Sequence, residues 1–251
     1  MNFGIEGRRA AVAAASSGLG LATAKALAAE GVTVAVCSRT RERIDAAAAE
    51  IGPLAVPLVA DVSTEEGAAG FVHAAKQEMG GVDILICNGG GPPSGNFEST
   101  PPEAYRAAIE LNCLAHIAMC GAAVPAMREQ RWGRVIAITS VGVRQPIAGL
   151  ILSNVARSGL TAFLKTLARE VAGDGVTVNS LQPGFHDTDR IRSLYGDDLE
   201  AIEALAAAIP ASVLGRPDDF GRIAAFLCSE TASFLTGTAI PVDGGAYTGM
   251  L

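Results

Sequence analysis

Short, mostly apolar runs alternate with helical stretches along the whole chain, and this alternation limits the fold more than any other feature. Residues 10–14, 32–37, 55–60, 84–87, 135–139 and 176–181 read as strands without a charged, solvent-facing side. Between them, residues 18–30, 42–51, 101–128 and 153–172 carry apolar side chains at three- and four-residue spacing, the period of a helix. A strand without a solvent-facing side has to be covered on both faces. Such strands alternating with helices therefore imply a three-layer α/β architecture, a doubly wound parallel sheet. No Pro/Gly/Ser-rich linker and no repeat interrupts the pattern, so residues 1–251 are expected to form a single domain.

Charge and cysteine usage narrow the setting. A net charge of −7 argues against a nucleic-acid partner, whose phosphates call for basic patches. Every long apolar run is interrupted by charge, Gly or Pro, so no membrane span is expected. Arg8 and Arg9 precede an apolar run as in a leader peptide, but that run passes into a Gly-rich turn and a helix and reads as a first strand. The five cysteines are scattered, with no Cys-x-x-Cys pair. They read as core thiols of a cytoplasmic protein, neither disulfides nor metal ligands.

In parallel sheets of this kind ligands lie beyond the carboxyl ends of the strands. After the first strand comes Ala13-Ala14-Ala15-Ser16-Ser17-Gly18-Leu19-Gly20 and then a helix. Gly18 and Gly20 permit close backbone approach, and the helix start offers N–H groups to a diphosphate. The second strand ends at Ser38-Arg39, where an acidic residue would hold ribose hydroxyls. Arg39 suits a 2′-phosphate instead, which favours NADP(H) over NAD(H). Asp61-Val62 follows the third strand and Asn88-Gly89-Gly90 the fourth. Asn112 sits on the long middle helix, and Ser140 ends the fifth strand. Pro183-Gly184, with Thr188 four residues on, follows the sixth, and Thr236-Gly237 leads to Val242-Asp243-Gly244-Gly245.

In order and placement these motifs resemble those of the short-chain dehydrogenase/reductase family over nearly the whole chain, and the pattern is similar to that of its 3-oxoacyl-carrier-protein reductases. The resemblance implies a Rossmann-type dinucleotide-binding domain. The 13–20 turn would cradle the diphosphate, with Ala14 where the family has its first glycine. Asp61-Val62 would meet the adenine, and Pro183-Gly184 with Thr188 the nicotinamide amide. Residues 187–210 would form a substrate lid. Asn112 and Ser140 match two members of the family's catalytic set. The other two, a Tyr-x-x-x-Lys pair, are replaced by Ser153-Asn154-Val155-Ala156-Arg157. A small-molecule or acyl-carrier-linked carbonyl substrate is implied, as is a homo-oligomer, tetramer or dimer.

None of Tyr105, Tyr195 and Tyr247 has Lys or Arg four residues later, so no shifted copy restores the pair. Arg157 keeps the positive charge and a fork for ribose hydroxyls. Ser153 is a far weaker acid than a phenol. Loss of general-acid help costs roughly 10²–10⁴ in rate, while orientation alone contributes about 7–11 kcal/mol. Hydride transfer is expected to be weakened and to persist. His186 and Tyr195 are the substitute donors to weigh, and for both a packing role is the expectation. His116 reads as a packed or interface histidine, and Thr161 with Lys165 as helix surface. The leading expectation is an NADP-dependent oxidoreductase acting on a carbonyl/alcohol pair. The alternatives are a nucleotide-binding protein without redox turnover and a repurposed lyase or epimerase.

Overall fold

The computed structural model describes residues 2–195 and 198–250. Seven parallel strands form one sheet in the order β3-β2-β1-β4-β5-β6-β7. They are β1 (Arg9–Val12), β2 (Thr33–Ser38), β3 (Ala55–Val59), β4 (Ile84–Cys87), β5 (Gly133–Ile138), β6 (Val176–Pro183) and β7 (Ala239–Val242). The order reverses between β1 and β4, which opens a crevice at the carboxyl ends of those strands. All six strands read from apolar runs are present within a few residues. The seventh follows Thr236-Gly237.

Successive residues of each strand face opposite layers. Val12, Val34, Ile84 and Ile136 meet Leu27 of α1 (Gly18–Ala29), Ile44 of α2 (Arg41–Ile51) and Phe220 of α9 (Pro217–Leu227). Ala11, Leu85 and Val135 meet the other layer, formed by α3 (Glu65–Met79), α5 (Ala115–Glu129) and α6 (Ile151–Val171), through Phe71, Met119 and Leu160. The expected lid contains α7 (Asp189–Tyr195) and α8 (Leu199–Ala207).

The helix expected over 101–128 is divided. It runs as α4 (Pro102–Ile109), a π-helical turn (Glu110–Leu114) and α5. Such a turn inserts one residue per repeat and often marks a functional position; here Asn112 lies within it. By length and composition the combined Pro102–Glu129 segment is apolar enough to cross a membrane, which its interruptions argued against. Half of its apolar window is buried in the fold, and α5 packs on α3.

Candidate active site

A cavity of about 680 Å³ occupies the crevice and the loops beyond the strand ends. Its centre is the turn between β1 and α1. Ala14 adopts φ 48°, left-handed backbone that costs a residue bearing a Cβ about 1–2 kcal/mol. The turn thus keeps its glycine-like shape despite the methyl group, at the expense of local strain. Asn88, beyond β4, clamps it: Nδ2 donates to the carbonyls of Ala13 and Ala14, both at 3.1 Å. Gly20 is required by the same clamp, since a Cβ there would lie 2.6 Å from Asn88 Nδ2 and 2.9 Å from the Ala14 carbonyl oxygen. Ser17, the N-cap of α1, makes no side-chain cap bond, so its hydroxyl does not take up the first-turn N–H groups. Ser16, Ser17, Gly18, Leu19 and Gly20 all line the cavity.

At the β2 end, Ser38 Oγ donates to the Thr40 carbonyl at 2.8 Å and so shapes the turn into α2. Arg39 and Arg43 line the cavity, and neither pairs with a carboxylate among the described residues. Arg41, between them in sequence, pairs with Asp45 at 3.4 Å instead. Arg43 was not singled out from sequence, where its four-residue spacing from Arg39 was the available signal. Asp61 and Val62 lie at the same end, with Asp61 Oδ1 accepting from the Ser63 N–H at 3.0 Å.

The opposite end holds Ser140, Ser153 and Arg157. Ser140 Oγ accepts from the Gly142 N–H at 2.9 Å, which leaves its own proton to donate. The Ser153 hydroxyl makes no hydrogen bond among the described residues. Arg157 is buried, and its Nη1 donates to the Ile138 carbonyl at 2.8 Å. Burial, and then the charge of Arg190, pull its pKa down to about 10, so it remains a cation at neutral pH. Asn154 braces the neighbouring loop, its Nδ2 donating to the Ile147 carbonyl at 3.0 Å.

Asn112 departs from the sequence reading, which grouped it with the catalytic residues. Alone among the predicted site residues it does not line the cavity. The π-helical turn directs it beneath the floor, where Nδ2 donates to the Gly90 carbonyl at 2.9 Å and Oδ1 is buried without a partner. His116 lies beside it: a Cβ added to Gly89 would sit 3.2 Å from His116 Nε2 and 3.7 Å from Asn112 Nδ2. Both ring nitrogens of His116 are buried and unpartnered. Desolvation, reinforced by the charge of Arg157, lowers its pKa to about 3 and keeps the ring neutral.

Beyond β6, Pro183, Gly184 and Thr188 line the cavity. A Cβ on Gly184 would press on Asp243 at 2.8 Å, so β7 packs tightly against this loop. His186 also lines the cavity, yet it is held: Nδ1 lies 3.2 Å from the Gly184 carbonyl oxygen, and the ring meets Phe220 edge-on at 5.2 Å. Desolvation lowers its pKa. The residue orders the turn, as a packing histidine does. Thr188 Oγ1 donates to the His186 carbonyl at 3.3 Å, and its methyl faces Gly18. The Tyr195 side chain lies outside the described residues. Lys165 Nζ donates to the Gly237 carbonyl at 2.7 Å, and neither it nor Thr161 lines the cavity.

The donors therefore form a gradient along one cavity. An anion cradle with uncapped helical N–H groups is flanked by two unpaired arginines, and two hydroxyls and a buried cation lie at the far end. A dinucleotide fits that order. The described residues contain no His/Cys/Asp/Glu cluster able to hold a metal ion.

A family model described as enoyl-(acyl carrier protein) reductase matches residues 13–247. The chain is 35% identical over 247 residues to the 3-oxoacyl-(acyl-carrier-protein) reductase of Escherichia coli (strain K12), covering 98% of this chain and 99% of the relative. It is 34% identical over 240 residues to the Homo sapiens dehydrogenase/reductase SDR family member 4, covering 94% and 86% respectively. Among solved structures, the L-sorbose reductase of Gluconobacter frateurii, complexed with NADPH and L-sorbose, superposes with a TM-score of 0.93 at 30% identity over 100% of both chains.

Proposed function

The chain belongs to the short-chain dehydrogenase/reductase family and is an NAD(P)-dependent oxidoreductase; from that premise we propose that it reduces a carbonyl group with NADPH in a site that lacks the family's phenol. The observation that carries the cofactor preference is the pair Arg39 and Arg43, both on the cavity and both without a carboxylate partner among the described residues. A 2′-phosphate supplies the charge they lack. The sorbose reductase was solved with NADPH, which agrees. Neither a redox-silent sensor nor a lyase is favoured by relatives that bear reductase and dehydrogenase names.

When bound, the nicotinamide supplies hydride. The chain's own groups then act as follows. The turn at Ala14–Gly20 and the start of α1 hold the diphosphate. Asp61 and Val62 flank the adenine, Asn88 and Gly89 form the floor, and Pro183, Gly184 and Thr188 hold the amide end. Ser140 donates its proton in a hydrogen bond to the substrate oxygen. Arg157 holds ribose hydroxyls and stabilises negative charge developing at that oxygen. Ser153 orients the substrate oxygen or a water without serving as its acid, and the proton that completes the alcohol would come from solvent water. Residues 187–210 act as the lid over a single domain. The substrate is a small-molecule or acyl-carrier-linked carbonyl, and the enzyme works in the cytoplasm as a homotetramer or dimer.

Fluorescence titration with both cofactors tests the reading. NADPH should bind at least ~10-fold more tightly than NADH, a preference worth about 1.4 kcal/mol, and Arg39→Ala should erase most of it. Equal affinities in the unsubstituted protein would remove the NADP assignment.

A further inference from the structure

One cation of the cavity has no use in the reading above. The chain is acidic overall, with a net charge of −7, yet its cavity is lined by four arginines (Arg39, Arg43, Arg157 and Arg190) against two aspartates, Asp61 and Asp189. Arg39 and Arg43 are accounted for by a cofactor phosphate, and Arg157 by the ribose. Arg190 remains, and its geometry is set by two contacts with the chain.

Arg190 rises from α7 in the lid and reaches the loop after β4. Its Nη2 donates to the Pro92 carbonyl at 2.8 Å. A Cβ built on Gly91 would lie 3.0 Å from its Cζ, Nε and Nη2 alike, so the guanidinium lies flat against the Gly91 backbone. A side chain at position 91 would displace it. One donor is thus spent on the protein and the plane is fixed, while the remaining N–H groups have no partner among the described residues. No described carboxylate lies within ion-pair distance of Arg190 or Arg157, and the neighbouring Asp189 pairs with neither. The two cations sit close enough that the charge of Arg190 lowers the pKa of Arg157. An anion bound beside them would relieve that repulsion. At the same end Ile147, Leu150 and Leu194 give the cavity an apolar wall.

We propose that Arg190 anchors a carboxylate of the substrate, and that the carbonyl compound reduced is an oxo acid with an apolar body; this rests on the reductase reading above. A planar guanidinium with four of its five N–H groups unspent matches a carboxylate in a bidentate pair. The fixed plane then sets the distance between acid group and reacting carbonyl, which selects the position of the oxo group along the acid. A thioester-linked substrate has no such free carboxylate, so the proposal separates a free acid from a carrier-bound acyl group.

The test compares short- and medium-chain 2-oxo and 3-oxo acids with their methyl esters and N-acetylcysteamine thioesters, in the intact protein and in Arg190→Gln and Arg190→Lys. NADPH affinity is measured first by fluorescence titration. NADPH consumption is then followed with each compound. At least one acid should be preferred to its ester by roughly 10- to 100-fold in kcat/KM, the range of a charge-assisted pair. Arg190→Gln should abolish that preference through KM while NADPH affinity stays within about twofold, and Arg190→Lys should restore part of it. Acids and esters treated alike by the unsubstituted protein overturn the proposal. So does Arg190→Gln weakening NADPH as much as it weakens the acids, which would make the residue a cofactor phosphate clamp. Should NADPH itself fail to bind, the redox reading falls separately, and Arg190 is judged by whether any acid raises the thermal midpoint of the free protein above the effect of its ester.

Discussion

Arg157 Nη1 donates to the carbonyl oxygen of Ile138 across 2.8 Å, tying the buried cation of α6 to the last residue of β5. The bond fixes where the charge stands relative to Ser140, two residues beyond that carbonyl. The strand-end geometry and the place of this charge in the cavity are therefore linked through one side chain.

Removing that side chain should cost both. Arg157→Ala strips a charge-assisted bond and leaves the Ile138 carbonyl buried without its donor, a loss of about 1–3 kcal/mol in stability. NADPH affinity should fall roughly tenfold or more. Urea denaturation and fluorescence titration read the two effects apart. An unchanged NADPH affinity in a folded variant would place the ribose elsewhere.

Ser153 and Arg157 are one helical turn apart and both face the cavity. Restoring a phenol there, with Ser153→Tyr and Arg157→Lys together, should raise kcat for carbonyl reduction by about 10²–10⁴. The gain is read as NADPH consumption under saturating cofactor, with a pH dependence absent from the parent. No gain, despite intact cofactor binding, would mean that position 153 does not meet the substrate oxygen.

The sheet was legible because strands buried on both faces leave no choice in their composition: Val34–Cys37 and Ile84–Cys87 are fully buried and wholly apolar. The cofactor loops were legible for the opposite reason, since Gly18 and Gly20 are demanded by backbone geometry. The break in the middle helix was not. A π-helical turn changes the register of Glu110–Leu114 without any Pro or Gly to announce it, so nothing in the sequence signals that Asn112 stands off the cavity lining. Arg190 was missed because its meaning depends on Gly91 and Pro92, far away in sequence.

Ala14 holds φ 48° with a methyl group in place of hydrogen. Ala14→Gly removes strain of about 1–2 kcal/mol and adds roughly 0.5–1 kcal/mol of unfolded-state entropy to be lost on folding. The expected net effect is a stability gain between zero and about 1.5 kcal/mol, with NADPH bound at least as tightly. Equilibrium urea unfolding decides it. A destabilised variant would show that the turn is not strained at this residue.

His116 connects stability to pH with a definite sign. Its pKa is about 3 in the folded chain against 6.5 for the free side chain, because burial and the charge of Arg157 oppose protonation. Between those values the unfolded chain binds a proton that the folded chain refuses. Stability is then complete above pH 6.5 and falls toward pH 3 by about 1.4 kcal/mol per pH unit at its steepest. His116→Val removes the titration together with two unpartnered buried nitrogens. Near neutrality the variant should match or exceed the parent, and its acid limb should be shallower by that slope. His186 and Asp83 leave a residual acid dependence of the same direction. Urea midpoints measured across the acid range for both proteins give the comparison. Parallel acid limbs would show that His116 takes up its proton in the folded state, which its surroundings forbid if the ring lies where Gly89 leaves room for it.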